Sequence, residues 1–217
     1  MPASRKAHVV LIGDLVASRA SKNRRALHRA LEQALSTANA AIDHVEPLEI
    51  TAGDEFQGVF EHLGEALDAA LRVRLELLPL ADTRHGVGRG STTTLDPVRG
   101  IKDGPAWWAA RDAIVEAERA AGRAALGHVR TAYRVAEGEP DDTGTTAAVN
   151  AALLCQDHLL GSLSERSLRL VRGLLDGMTQ RELAAAEGIT ASAVSQRVRA
   201  DGLAVIVQSA QLLRDLP

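Results

Sequence analysis

The run His8 to Leu15, HVVLIGDL, constrains the fold of this 217-residue chain more than any other segment. It is too short and too rich in Val and Ile for a useful helix, and it is closed by Gly-Asp. It therefore reads as a buried strand with Asp14 at its end. From Ser21 to about Val45, the apolar residues Leu27, Leu31, Leu35, Ala38 and Ile42 recur every three or four positions. That spacing predicts an amphipathic helix with Ser18 or Ser21 as its N-cap. Leu48 to Phe60, LEITAGDEFQGVF, divides into two β-type pieces around Ala-Gly-Asp-Glu, which reads as a hairpin with the acidic pair at its turn. Leu63 to Leu78 is helical in period, and His85 to Leu95 returns to β-type composition. Gly104 to Arg123 predicts another helix, and Gly127 to Val135 a last strand. Gly86, Gly88 and Gly90 form GVGRG, which lacks the spacing and downstream acid of a dinucleotide fingerprint and reads as a bent strand.

This order places helices on one face of a mainly antiparallel sheet, an α+β domain. Glu137 to Thr146 (EGEPDDTGTT) has the composition of a linker, and everything after it reads as helix. The expected domains are residues 1–140 and 141–217. No repeat is visible at a period of about 20 to 50 residues. With 46% hydrophobic residues, 24% charged residues and a net charge of -3, the composition is that of a soluble globular protein. Only Phe56, Phe60, Trp107, Trp108 and Tyr133 are aromatic, so Ala, Leu and Val must build the core. No apolar stretch approaches the roughly 18 to 20 residues of a membrane span, and Met1 to Lys6 leads into no secretory segment, so a cytoplasmic location without membrane partners is expected. The single cysteine, Cys155, excludes an intrachain disulfide and reads as an inert buried thiol in an apolar helical run. The seven scattered histidines suggest no zinc site.

The C-terminal text is regularly punctuated. Ser164 caps a helix ending at Asp176-Gly177, and Thr179 with Glu182 forms a capping box for a second helix ending at Glu187-Gly188. Thr190 or Ser192 then opens a third. Leu183, Ala184, Gly188, Ile189, Val194 and Val198 have the spacing by which two short helices cross with apolar faces inward. TQRELA, then GIT, then SAVSQR resembles the helix-turn-helix of sigma-factor region four and response-regulator DNA-binding domains. That resemblance implies DNA contacts from Thr190, Ser192, Ser195, Gln196, Arg197 and Arg199 on the third helix.

Gly13-Asp14 and Gly53-Asp54 carry the N-terminal argument. By themselves they are ordinary turn signals. The element order nevertheless puts both carboxylates at one end of neighbouring strands, where a divalent ion could join them to a phosphate. GDLVASR resembles the first-strand segment of class III nucleotidyl cyclases, and ITAGDEFQGVF resembles their hairpin and the turn of diguanylate cyclases. As a whole the chain resembles the SatD family of small bacterial proteins. The cyclase resemblance implies a ferredoxin-like sheet, Asp14 and Asp54 as ligands of Mg²⁺, and Arg111 as the residue that would stabilise a transition state. It also implies a ligand cradle of Gly13, Ser18, Arg19, Gly53, Trp107 and Arg111, with Trp107 and Trp108 offering faces to a base. Trp107 stands where cyclases carry a ribose-orienting Asn, and Ile50 where they carry a base-reading charge. The expected function is therefore a homodimeric DNA-binding regulator with a degenerate cyclase-like domain that senses a nucleotide or cyclic dinucleotide. An active metal-dependent cyclase or phosphotransferase with a helical tail is the alternative.

Overall fold

The computed structural model describes residues 7–18, 23–96, 101–140 and 143–217. Strand β1, Ala7–Leu15, is the centre of a five-stranded sheet. Its partners are β2 (Glu46–Ala52), β3 (Glu55–Phe60), β4 (Thr83–Ser91) and β7 (Thr131–Val135), in the order β2-β3-β1-β4-β7. β7 runs parallel to β4, and the other pairs are antiparallel. A separate ribbon, which the residue pattern does not announce, pairs β5 (Thr93–Asp96) with β6 (Ile101–Asp103).

Val9 to Ile12 are all buried because both faces of β1 are covered. On one face, Val9, Leu11 and Leu15 meet helices α1 (Arg24–Ala41) and α2 (Leu63–Leu77). On the other, Val10 and Ile12 meet Ala106, Trp107, Ala110 and Ile114 of α3 (Pro105–Ala121). The expectation of helices on one face only is thus corrected. An uninterrupted apolar run, rather than an alternating one, is the physical mark of a strand covered on both sides.

Gly86 and Gly88 explain how α3 comes so close. A Cβ on Gly88 would lie 2.3 Å from Ala106 O and Ala110 N, and one on Gly86 would lie 2.1 Å from Ala110 O. GVGRG is therefore a continuous strand whose glycines admit a helix backbone, not a bend. Gly88→Ala should lower stability by about 2–3 kcal/mol in urea unfolding, because forcing a methyl into packed backbone outweighs the entropy gained by removing a glycine. An unchanged midpoint would mean that α3 lifts away freely.

Each sheet edge is closed by an asparagine from a helix. Asn39 of α1 accepts from Leu48 N (2.8 Å) and donates to Leu48 O (3.0 Å). On the opposite edge, Asn150 of α4 (Thr143–Gly161) makes the same pair with Tyr133, at 2.9 Å each. Both side chains imitate a neighbouring strand and remove open edge positions. α1 begins at Asn23, whose side chain accepts from Ala26 N, rather than at Ser18; Ser21 lies outside the described residues.

The C-terminal helices are α4, α5 (Glu165–Leu175), α6 (Gln180–Glu187), α7 (Ala191–Ala200) and α8 (Leu203–Arg214). Their core of Leu160, Leu168, Val171, Leu183, Val194, Leu203 and Ile206 also takes in Leu71 and Leu75 from α2. The Gly64 N–H donates to Leu216 O at 3.0 Å, fastening the end of the chain to the start of α2. α4 turns Val149, Leu153, Gln156, Asp157 and Leu160 inward. Cys155 falls on its opposite face and is exposed, contrary to the expected buried thiol. No helix among the described residues is long and apolar enough to cross a membrane.

Candidate functional site

The end of β1 and the β2–β3 turn meet at one end of the sheet. Gly53 and Asp54 form the two-residue turn between Ala52 and Glu55, with Gly53 at φ +66°. Only Asp54 of the acidic pair is in the turn, since Glu55 opens β3. Asp14 lies opposite Arg84 on β4, on the α3 side of the sheet by strand alternation with Val10 and Ile12. Its Oδ1 is buried without a hydrogen bond among the described residues and stands 3.7 Å from Arg84 Nε, while Arg84 Nη1 is committed to Glu118 at 2.6 Å. Burial pushes the Asp14 carboxyl up, Arg84 opposes this, and the carboxylates of Asp54, Glu118 and Glu55 add to the rise. The two sequence-predicted carboxylates therefore lie within electrostatic reach of each other.

Asp54, but not Asp14, also lines a cleft of about 370 Å³ on the α1 side of the sheet, together with Ser18, Arg24, Arg25, His28, Arg29 and Gly53, with Leu15, Leu27 and Leu31 as its apolar floor. Arg24 and Arg25 occupy the first turn of α1, which contains no acidic residue, and neither has an ion-pair partner among the described residues. No motif announces either of them. Their only signal was two adjacent arginines where a helix N-terminus ordinarily favours acids. Arg111 of α3 is not part of this cleft; it stands on the Asp14 side of the sheet, with Nη2 3.3 Å from Glu55 Oε2. Among the described residues, no group of three or more His, Cys, Asp or Glu side chains is arranged to hold a metal ion.

Other expected members of the cradle have different duties. Gly13 is buried against Phe56, whose ring would stand 2.2 Å from an added Cβ, so packing accounts for this glycine. Trp107 is a core residue over Val10, Ile12 and Val59, which corrects its assignment as a base platform. Trp108 is 60% exposed, and its indole N–H donates to Asp103 at 2.7 Å. It lines a different cleft, with Arg134 and Val135 at the end of β7 and Ala136 and Glu137 just after it, at the end of the sheet away from Asp14. Arg19 lies outside the described residues.

In the helical segment, Thr190 accepts from Ala193 N as the N-cap of α7, and Gly188 closes α6 at φ +62°. Val194 and Val198 are buried, leaving Ser192, Gln196 and Arg199 on the outward face at spacings of four and three. Ser195 is half-buried beside them. Arg197 points to the flank, 3.6 Å from Asp201 and 3.5 Å from the buried Ser167 of α5. Ser167 in turn donates to Asp201 at 2.5 Å. Arg197 thus braces α5 against α7, whereas Arg199 makes no such brace.

The family model described as the SatD family matches residues 8–216. The chain belongs to the SatD family. A search of curated proteins returned no match. In this SatD-family chain the matched region runs from β1 past α8, so the sheet and the helical segment lie within one family unit.

A buried charge cluster that no residue pattern announces joins α2, the start of β7 and α4. Arg74 of α2, with its side chain 2% exposed, donates through Nε to Asp82 at 2.7 Å and through Nη1 to Asp157 of α4 at 2.6 Å. Arg130 Nε donates to Asp82 at 2.7 Å, and Asp157 Oδ2 accepts from the Arg130 and Thr131 N–H groups at 2.7 and 2.8 Å. Burial alone would raise Asp82, but Arg74 and Arg130 together hold it below the ordinary carboxylate range. Burial pushes Asp157, which has a single guanidinium, up to about 6 against Arg74 and its two N–H donors. These residues are far apart in sequence and share no motif.

Proposed function

We propose that the chain is a DNA-binding regulator whose sheet domain senses a phosphorylated ligand, a nucleotide or cyclic dinucleotide, held with Mg²⁺ at Asp14 and Asp54. The observation that carries this reading is a cleft in which Asp54, within electrostatic reach of Asp14, stands with two arginines that have no ion-pair partner among the described residues, at the N-terminus of an 18-residue helix. A divalent ion at the acids would neutralise them, while Arg24, Arg25 and the α1 N–H groups would take phosphate oxygens. The order β2-β3-β1-β4, antiparallel throughout with α1 and α2 on one face, supports a ferredoxin-like, cyclase-like core. Calorimetric titration with ATP, GTP and cyclic dinucleotides, with and without Mg²⁺, should find one that binds in a metal-dependent way. Asp14→Asn and Asp54→Asn should each weaken that binding at least about tenfold, equivalent to about 1.4 kcal/mol. Equal affinity in wild type and both variants would exclude the site.

The α6-turn-α7 unit, with Ser192, Gln196 and Arg199 outward, supports the DNA reading, and a cytoplasmic homodimer would present two such helices to two half-sites. Changing Gln196 and Arg199 together to Ala should weaken DNA binding by about 1–3 kcal/mol for each base that is no longer read, with the fold intact. Salt-dependent binding that is unchanged in the double variant would place the interface elsewhere. Arg111 beside Glu55 favours a second reading, a metal-dependent cyclase or phosphotransferase. Release of pyrophosphate or phosphate from a nucleoside triphosphate with Mg²⁺, abolished by Arg111→Ala, would establish it.

A further inference from the structure

We infer that the buried cluster of Arg74, Asp82, Arg130 and Asp157 is the coupling element between the cleft loop and the helical segment. The inference rests on the ligand-sensing reading above only for its biological purpose; the physical linkage stands on its own contacts. The Val16 N–H, two residues beyond Asp14 and two before Ser18, donates to Asp82 O at 2.9 Å. The loop that lines the cleft therefore hangs on the backbone of Asp82, whose side chain is the hub of the cluster. Asp82 Oδ1 accepts from Arg74 and from its own neighbour Thr83 N at 2.9 Å, and Oδ2 accepts from Arg130. Arg74 extends the network to Asp157 Oδ1, and Asp157 clamps the start of β7 through the Arg130 and Thr131 N–H groups.

Asp157 lies in α4, and that position makes the cluster a link. The same helix contributes Val149 and Leu153 to the core beneath the sheet and Leu160 to the core of α5 to α8. Arg74 lies on α2 between Leu71 and Leu75, which belong to the helical core. Loop, strand start and helix are thus tied through charges that cannot be separated without leaving one of them buried and unpaired, so the arrangement is held together as a unit. A displacement of Val16 to Ser18 on ligand binding would shift Asp82 and with it the seat of Asp157. Because coupling is reciprocal, loosening Asp157 must loosen the loop.

Hydrogen–deuterium exchange of the full chain without ligand tests this. Asp157→Asn keeps an acceptor for the N–H groups of residues 130 and 131 but removes the charge that holds Arg74. It should speed exchange of the Val16 amide at least about tenfold, the change that a coupling of about 1.4 kcal/mol gives. Leu153→Ala, one turn earlier on α4 and outside the cluster, is the comparison for general loosening of the helix. Unchanged Val16 exchange in Asp157→Asn, or an equal acceleration in Leu153→Ala, would overturn the coupling. If Asp157→Asn unfolds the protein, Arg130→Gln, which removes the guanidinium's contacts to Asp82 and to the Gly127 and Val129 carbonyls but leaves Asp157 its charge, is read in the same way. A parallel titration of wild type with ATP and Mg²⁺ separates the two ideas: no protection of residues 15–18 or 53–54 counts against the ligand assignment, while the ligand-free comparison still decides the coupling.

Discussion

Arg74→Met should destabilise the protein by about 3–5 kcal/mol, the cost expected when one partner of a buried ion cluster is removed and its counter-charges remain. Arg74 is 1% exposed and serves two carboxylates. Methionine fills much of the volume of the aliphatic stem but leaves Asp157, 2% exposed, with only its two backbone donors. Arg74→Lys should recover part of the stability, since a single ammonium cannot span both carboxylates with the planar geometry of guanidinium. Urea unfolding followed by both circular dichroism and tryptophan fluorescence measures the effect. A destabilisation under about 1 kcal/mol would show that water reaches the cluster and shields it.

His85→Leu should change how stability depends on pH. His85 is fully buried, lies edge-on to Phe56 and has no partner for Nε2 among the described residues. Burial, reinforced by the Arg74 charge and opposed by Asp82, lowers its pKa from 6.5 to about 3. Between those values the unfolded chain binds the proton and the folded one does not. The wild-type contribution is therefore complete above pH 6.5 and diminishes as pH falls toward 3. From about pH 6.5 to about 4.5 this amounts to about 2–3 kcal/mol, at no more than about 1.36 kcal/mol per pH unit. Asp157, raised to about 6 from 3.8, gives the opposite slope between those two values, because its folded form retains the proton longer. Subtracting the His85→Leu curve from the wild-type curve cancels that contribution and isolates the histidine. A difference curve that stays flat from about pH 7 to about 4.5 would mean that His85 is hydrated or charged in the folded protein.

Local signals carry well where structure depends on near neighbours. The Thr179–Glu182 capping box, the Ser164 and Thr190 caps and the glycine stops at Gly177 and Gly188 all occur as the residue pattern indicates, because a cap is decided within about four residues. The two Gly-Asp pairs likewise mark a strand end and a hairpin turn. Where a residue's duty depends on what packs above it, the same signals fall short. Trp107, expected to face a ligand, instead fills the space over β1, while Gly13 makes room for Phe56 rather than for a phosphate. Cys155, expected inside, lies outside, since an apolar helix does not declare which side meets the sheet.

What the sequence determined by itself was the order and type of most of the elements, the caps that bound the C-terminal helices, and the two carboxylates at the sheet end. Those features follow from periodicity and turn chemistry, which act over a few residues. Only the tertiary structure decided that α3 covers the second face of β1, that Arg24 and Arg25 meet Asp54 across a cleft, and that Arg74, Asp82, Arg130 and Asp157 share one buried site. Arg74 and Asp157 are separated by 83 residues. No local pattern records such a pairing, because each charge is tolerated in the core only once the fold has delivered its partner.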